Sequence, residues 1–194
     1  MGRASRIESA RSRERIVQTA SRMFAEKGVD NVSIADIMHA AGLTHGGFYN
    51  HFPSKDALAV EAIQASFERA TEKWKESAAS GAGRKSPLQT IVENYLSIAP
   101  TSGKCPIVSS GYDAIAGGRE EFKTAFSSGA HQLFDEFRKA AQATDRSIPE
   151  WQYATLFAAA LGARVLVESA GQEPWVKDIL KAIPIAIRNG SGDR

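Results

Sequence analysis

With 194 residues, 43% of them hydrophobic and 24% charged, the sequence has the make-up of an ordinary folded chain, which excludes a disordered, collagen-like or disulfide-stapled protein. Its single cysteine, Cys105, makes neither an internal disulfide nor a multi-cysteine zinc site; no apolar run approaches the roughly 18 residues of a membrane span, and the N-terminus lacks a secretion signal, so a cytoplasmic protein without metal or cofactor is expected. The net charge of +2 is uneven: eight basic residues against five acidic ones up to Lys55 leave +3 there and −1 beyond. Such an arginine-rich segment reads either as a footprint for phosphate or as a solvated face.

Apolar residues at Ile16, Ala20 and Phe24, with Val17 and Met23 beside them, predict a helix over 11–27 that stops at Gly28. Ser33 with Asp36 forms a capping-box pattern ahead of Ile34, Ile37 and Met38, for a short helix ending at Ala41 or Gly42. Thr44 is positioned to cap a third short helix reaching Phe52, Pro53 breaks it, and Ser54 caps a long helix from Lys55 to about Ala79. Ser80 to Lys85, including Ala82, Gly83 and Arg84, reads as a loop. Ser86, Pro87 and Gln89 then open a helix carrying Ile91, Val92, Tyr95, Leu96 and Ile98, which Pro100 ends. The run Pro106, Ile107, Val108 has strand character but no second strand to pair with, so 105–116 is expected to be helical. Further helices are expected over 119–143, from Ser147, Pro149 and Glu150 to Ala170, and from Pro174 through Ile187, with a frayed tail at 189–194. About nine helices without strand pairs make an all-α fold.

The two short helices joined through Gly42 and Leu43 are a helix-turn-helix candidate, an element that fits the DNA major groove. Gly46 and Gly47 each cost about 1 kcal/mol relative to Ala inside a helix, and a backbone stripped of side chains lets a flat surface approach closely. Around them stand Thr44, His45, Tyr49, Asn50 and His51, side chains suited to base edges and phosphates, although a polar surface turn would show the same residues.

Arg15 to Gly28, then Ser33, Ile34, Ile37, Ala41 and Gly42, and above all the run from Gly47 to Leu58, resemble the N-terminal DNA-binding domain of the tetracycline-repressor (TetR) family. The resemblance implies that Ser33, Tyr49 and Lys55 bind phosphates, that Thr44, His45 and Gly46 face base edges, that His51 lies near the DNA backbone, and that Phe48 and Phe52 pack. It implies a three-helix N-terminal head followed by an all-helical ligand-binding and dimerisation domain. The division expected is 1–54 for arm and head, 55–80 for a connecting helix and 81–194 for effector and dimer. A homodimeric repressor of double-stranded operator DNA, released by a small, largely apolar effector, follows.

For the dimer, Ala154, Ala158, Leu161, Gly162 and Val165 put small side chains along one helix face, and Val176, Leu180, Ile183 and Ile187 form a stripe on the next. A core buried within one chain would show the same pattern. Effector candidates are Trp74, Tyr95, Phe126, Phe137 and Trp151 as aromatic lining, with His131 and Arg164 as polar contacts; each aromatic taken alone reads first as core. Cys105 beside Lys104 is a candidate electrophile or oxidant sensor, or inert packing. Two other classes stand apart: a cysteine-dependent enzyme using Cys105, His131 and Asp113, for which no local signature exists, and an architectural DNA-binder, which would not need the aromatic-rich remainder. The sequence is therefore read as a non-enzymatic regulator.

Overall fold

A computed structural model describes residues 2–81, 85–97, 104–116, 118–144, 149–171 and 173–190. Among them the chain is all-α: α1 (Gly2–Lys27), α2 (Ile34–Ala40), a 3₁₀ helix (His45–Asn50), α3 (Lys55–Ser80), α4 (Pro87–Ser97), α5 (Pro106–Ala116), α6 (Glu120–Thr144), α7 (Glu150–Ala170) and α8 (Pro174–Gly190). The expected loop at Ala82, Gly83 and Arg84, the helix end at Ile98 and Pro100, the Ser147 cap and the tail beyond Gly190 lie outside the described residues, while Asn189 and Gly190, expected to fray, continue α8.

Several elements differ from the sequence reading for local reasons. Helix α1 starts at Gly2, well before Arg11. Its first turns are rich in Ala, Arg and Glu, good helix formers without an apolar face, so periodicity misses them. The third short helix is 3₁₀, and Thr44 makes no side-chain cap; its carbonyl instead accepts from Gly47 N–H at 3.0 Å. Ser86 Oγ does cap Gln89 N–H at 3.2 Å, but the Gln89 side chain turns forward to Glu93 rather than back to the cap. Pro184 sits inside α8. The stretch 150–170, read as too polar to span a bilayer, is the one described helix long and apolar enough to do so, with a mean hydropathy of 1.2. It packs against α4 and α8.

The chain forms two compact units, Met1–Glu68 with Lys104–Gly129, and Arg69–Gly103 with Ala130–Arg194. In the first, Ile16, Ala20 and Phe24 of α1 are buried with Ile37, Met38, Phe48, Phe52, Leu58 and Ile63. Burying each large side chain contributes about 1.5–3 kcal/mol. The core is closed from the distal segment by Phe122 and by Phe126, whose ring lies edge-on to Phe67 at 5.6 Å. In the second unit α8 packs on α4 and α7, and α4 on α7. Its centre is aromatic: Trp74 stands 5.6 Å from Tyr95, 6.0 Å from Phe137 and 6.2 Å from Phe157.

Candidate nucleic-acid interface

The turn between α2 and the 3₁₀ helix is fixed by main-chain chemistry. Gly42 takes φ +68°, a left-handed conformation that glycine adopts without a side-chain clash. From it, Gly42 N–H donates to the His39 carbonyl at 3.0 Å and Leu43 N–H to that of Met38 at 2.9 Å, the paired bonds of a Schellman stop. Phe48 and Phe52, with rings 5.7 Å apart and both buried, then pin the 3₁₀ helix to the core. Arg13 stacks 4.5 Å above Phe52 and forms a two-point ion pair with Glu61 that joins α1 to α3. Thr44, His45, Gly46, Tyr49 and Asn50 are left exposed, Tyr49 by 63%, and His51 is half-buried.

Neither Gly46 nor Gly47 has a positive φ among the described residues. A Cβ built on Gly46 meets nothing within 4 Å, and one on Gly47 meets only ordinary contacts, at 3.6 Å from Thr44 Oγ1 and 3.8 Å from Met38 Cε. Nothing inside the chain requires glycine at either place.

At the entry to α2, Ser33 Oγ accepts from Asp36 N–H at 3.0 Å while the Asp36 carboxylate accepts from Ser33 N–H, the reciprocal capping box. The Ser33 hydroxyl also donates to the Asp36 carboxylate at 2.6 Å, and this bond, with that from Ser33 N–H, holds the Asp36 carboxyl below the usual range. Lys55 is half-buried, its ammonium donating to the carbonyls of Val29 at 3.0 Å and Val32 at 3.2 Å, so it anchors the α1–α2 turn as well as standing beside Ser54, which caps α3 through Ala57 N–H at 3.0 Å. Sequence reasoning missed the other partners of this turn. The Asp113 carboxylate of α5 accepts from Val29 N–H at 3.2 and 3.3 Å, and Arg119 pairs with both Asp30 and Asp56. Hydrogen bonding to Arg119 lowers the Asp30 pKa, whereas burial raises that of Asp113.

The remaining candidates are dispersed. Tyr95, Phe137 and Phe157 gather in the second unit around Trp74, and Arg164, 2% exposed, lies on the same helix as Phe157, with Nε donating to Glu168 at 2.7 Å. His131 faces outward near Asp135, and Trp151 is 70% exposed. Cys105, buried ahead of α5, and Phe126 belong to the first unit, as does Asp113, while His131 belongs to the second. On α7, Ala158, Gly162 and Val165 are exposed and Ala154 and Leu161 partly so; on α8, Val176, Ile183 and Ile187 are buried in their own chain and Leu180 is half-buried. Among the described residues, no three His, Cys, Asp or Glu side chains gather as metal ligands.

Comparison with known proteins bears on this geometry. Residues 16–62 match the family model for bacterial regulatory proteins of the tetR family. The HTH-type transcriptional repressor KstR2 of Rhodococcus jostii is 31% identical over 80 residues, 41% of this chain and 39% of that protein. The chain thus spans about two fifths of the length of that curated relative. Among solved structures, a TetR transcriptional regulator from Chloroflexus aurantiacus is 26% identical with a TM-score of 0.71, covering 93% of this chain and 96% of the other. A TetR-family regulator from Streptomyces coelicolor, 17% identical, shares the fold at a TM-score of 0.78 over 99% and 98% of the two chains.

Proposed function

The chain belongs to the TetR family of bacterial regulatory proteins, and on that premise we propose that it is a homodimeric, ligand-responsive repressor of the bacterial cytoplasm that leaves a pseudo-palindromic operator when a small, largely apolar effector binds. One observation carries the DNA half of this reading: an exposed polar strip contains two glycines that the fold does not ask for. A bare backbone at Gly46 and Gly47 admits the strip to the major groove, where Thr44, His45 and Asn50 reach base edges. Ser33, Tyr49 and His51 address phosphates, and Lys55 offers them the part of its ammonium not engaged with the two carbonyls.

In functional terms 1–54 bind DNA, 55–80 connect, and 81–194 take effector and partner, although Lys104–Gly129 packs with the head. One short recognition helix reads too few base pairs, so two copies are needed at about 34 Å spacing. The exposed small residues Ala158, Gly162 and Val165, with Trp151, Trp175 and Ile185 on the same two helices, favour α7 and α8 as the joining surface. Of the effector candidates, Trp74, Tyr95, Phe137 and Arg164 form the set we assign to ligand. An effector must bind the released arrangement more tightly than the DNA-bound one, or nothing shifts.

The test is DNA binding across a salt series. Tyr49→Phe and Lys55→Ala should weaken binding to all sequences, and Lys55→Ala should also reduce the salt slope by about one unit. Changes at His45 or Asn50 should alter base preference instead. Unchanged affinity in both of the first two variants overturns the phosphate assignment.

A further inference from the structure

The turn that delivers the chain into α2 is held from three sides by charged groups, two of which come from far along the sequence. Gly28, at φ +80°, reverses the chain after α1, and a Cβ there would lie 3.4 Å from Asp113 Oδ1, so the carboxylate sits against the turn itself. Asp113, 8% exposed, takes the Val29 N–H, and Lys55 takes the Val29 and Val32 carbonyls. Arg119, placed just before α6, spans Asp30 in the turn and Asp56 in the first turn of α3, donating Nε to Asp56 at 2.7 Å. One guanidinium thereby joins the residues leading to Ser33 with the residue next to Lys55, the two ends of the surface assigned to phosphates.

We propose that the corner between α5 and α6, through Arg119 with Asp113, is a positioning device for the DNA-binding face, holding Ser33 and Lys55 at a fixed separation. The inference rests on the reading that this face meets DNA. Arg119 and Asp113 are positioning residues; neither is assigned to touch nucleic acid. A head whose turn is held only part of the time binds with an affinity reduced by the fraction that is correctly set. Two-point guanidinium contacts supply geometric specificity that a point charge does not.

Charge gives the test its direction. Asp30→Asn and Asp56→Asn each make the head more positive, so simple attraction to phosphate predicts tighter binding, whereas a lost brace predicts weaker binding. Both acids are largely exposed, at 66% and 61% of their side chains, and their neutralisation leaves the core untouched. The full-length chain is titrated against a random-sequence DNA duplex at low salt by fluorescence anisotropy, with thermal melts of each variant. We expect Asp30→Asn to lower affinity by about fivefold, Arg119→Gln to do the same, and the double variant to be no weaker than either single one. Arg119→Lys should restore binding only in part. Should Arg119→Gln fail to fold, the acid variants decide alone. Equal or tighter binding by Asp30→Asn and Asp56→Asn, beside normal binding by the wild type, overturns the brace and leaves the DNA reading standing. Absence of binding by the wild type itself overturns both.

Discussion

Gly46 is a residue whose side chain the protein could afford and does not have. Its backbone lies in a region open to any amino acid, and its Cβ position is empty of neighbours. Gly46→Ala should therefore leave the melting temperature unchanged or raise it, alanine gaining up to about 1 kcal/mol over glycine in helical backbone. Its affinity for DNA should fall, because the added methyl meets the groove. Melts and anisotropy on the same sample check both halves, and a loss of stability would show that the glycine serves the fold. Asp113 makes the opposite trade. Burial raises its pKa, outweighing the Val29 N–H bond, with Asp30 adding to the rise and Arg119 opposing it. The folded chain then holds this proton more tightly than the unfolded one, so its contribution to stability falls as pH climbs from the ordinary aspartate range through the raised value. Asp30 and Asp36, held below that range, act in the reverse sense, stability falling as pH drops through it. In urea unfolding at several pH values, the stability of wild type minus that of Asp113→Asn should decline with rising pH and then level off, the contributions of Asp30 and Asp36 largely cancelling in the difference. A flat difference would remove the buried carboxylate from the account.

Helices α3 and α6 meet with no room to spare. A Cβ on Gly129 would fall 2.2 Å from Cγ and Cδ2 of Phe67, a ring that is itself 1% exposed and edge-on to Phe126. Gly129→Ala should lose about 1–3 kcal/mol to overpacking, reduced by up to about 1 kcal/mol of helix propensity, a net fall that denaturant unfolding would register. The elements nearest the site were the most legible in the sequence because their signals are local. Ser33 and Asp36 announce a start and Gly42 a stop within ten residues of one another. The 3₁₀ geometry of His45–Asn50 was not legible, since spacing alone does not separate one short helical type from the other. Nor was the α5–α6 corner: Asp113 lies 84 residues from Val29 and Arg119 lies 89 from Asp30, and no pattern in a single sequence pairs such residues. The stripe on α8 had the right period, but a periodic apolar face does not say which surface covers it, and Val176, Ile183 and Ile187 turned out to serve their own chain.

At the scale of the whole molecule, the proposed dimer would be joined through a surface that the single chain leaves exposed. The exposed face of α7 carries Trp151, Thr155, Ala158, Gly162 and Val165, a strip without charge, while the buried face of the adjoining helix fills the interior. Substitutions on the two should part company. Ala158→Glu is expected to yield single chains by light scattering with helix content intact, and to weaken binding to a two-half-site duplex far more than to one half-site. Val176→Ala is expected to lower the melting temperature without that separation. A dimeric Ala158→Glu variant would place the joining surface elsewhere.

The first unit is assembled from two stretches of chain, with residues 69–103 between them. This order has a consequence for biosynthesis. At about 5–20 residues per second, translation takes about 3–12 s to pass from Glu68 to Gly129. For most of that interval a nascent head has made Phe67 but not Phe126, and the acids at Asp30 and Asp56 but not Arg119. The segment proposed to meet DNA is thus translated before the segment that braces it. A graft or a proteolytic cut at Glu68 would carry away the recognition surface without the buttress made 36 residues and more downstream, so the portable cassette of this protein is two segments rather than one.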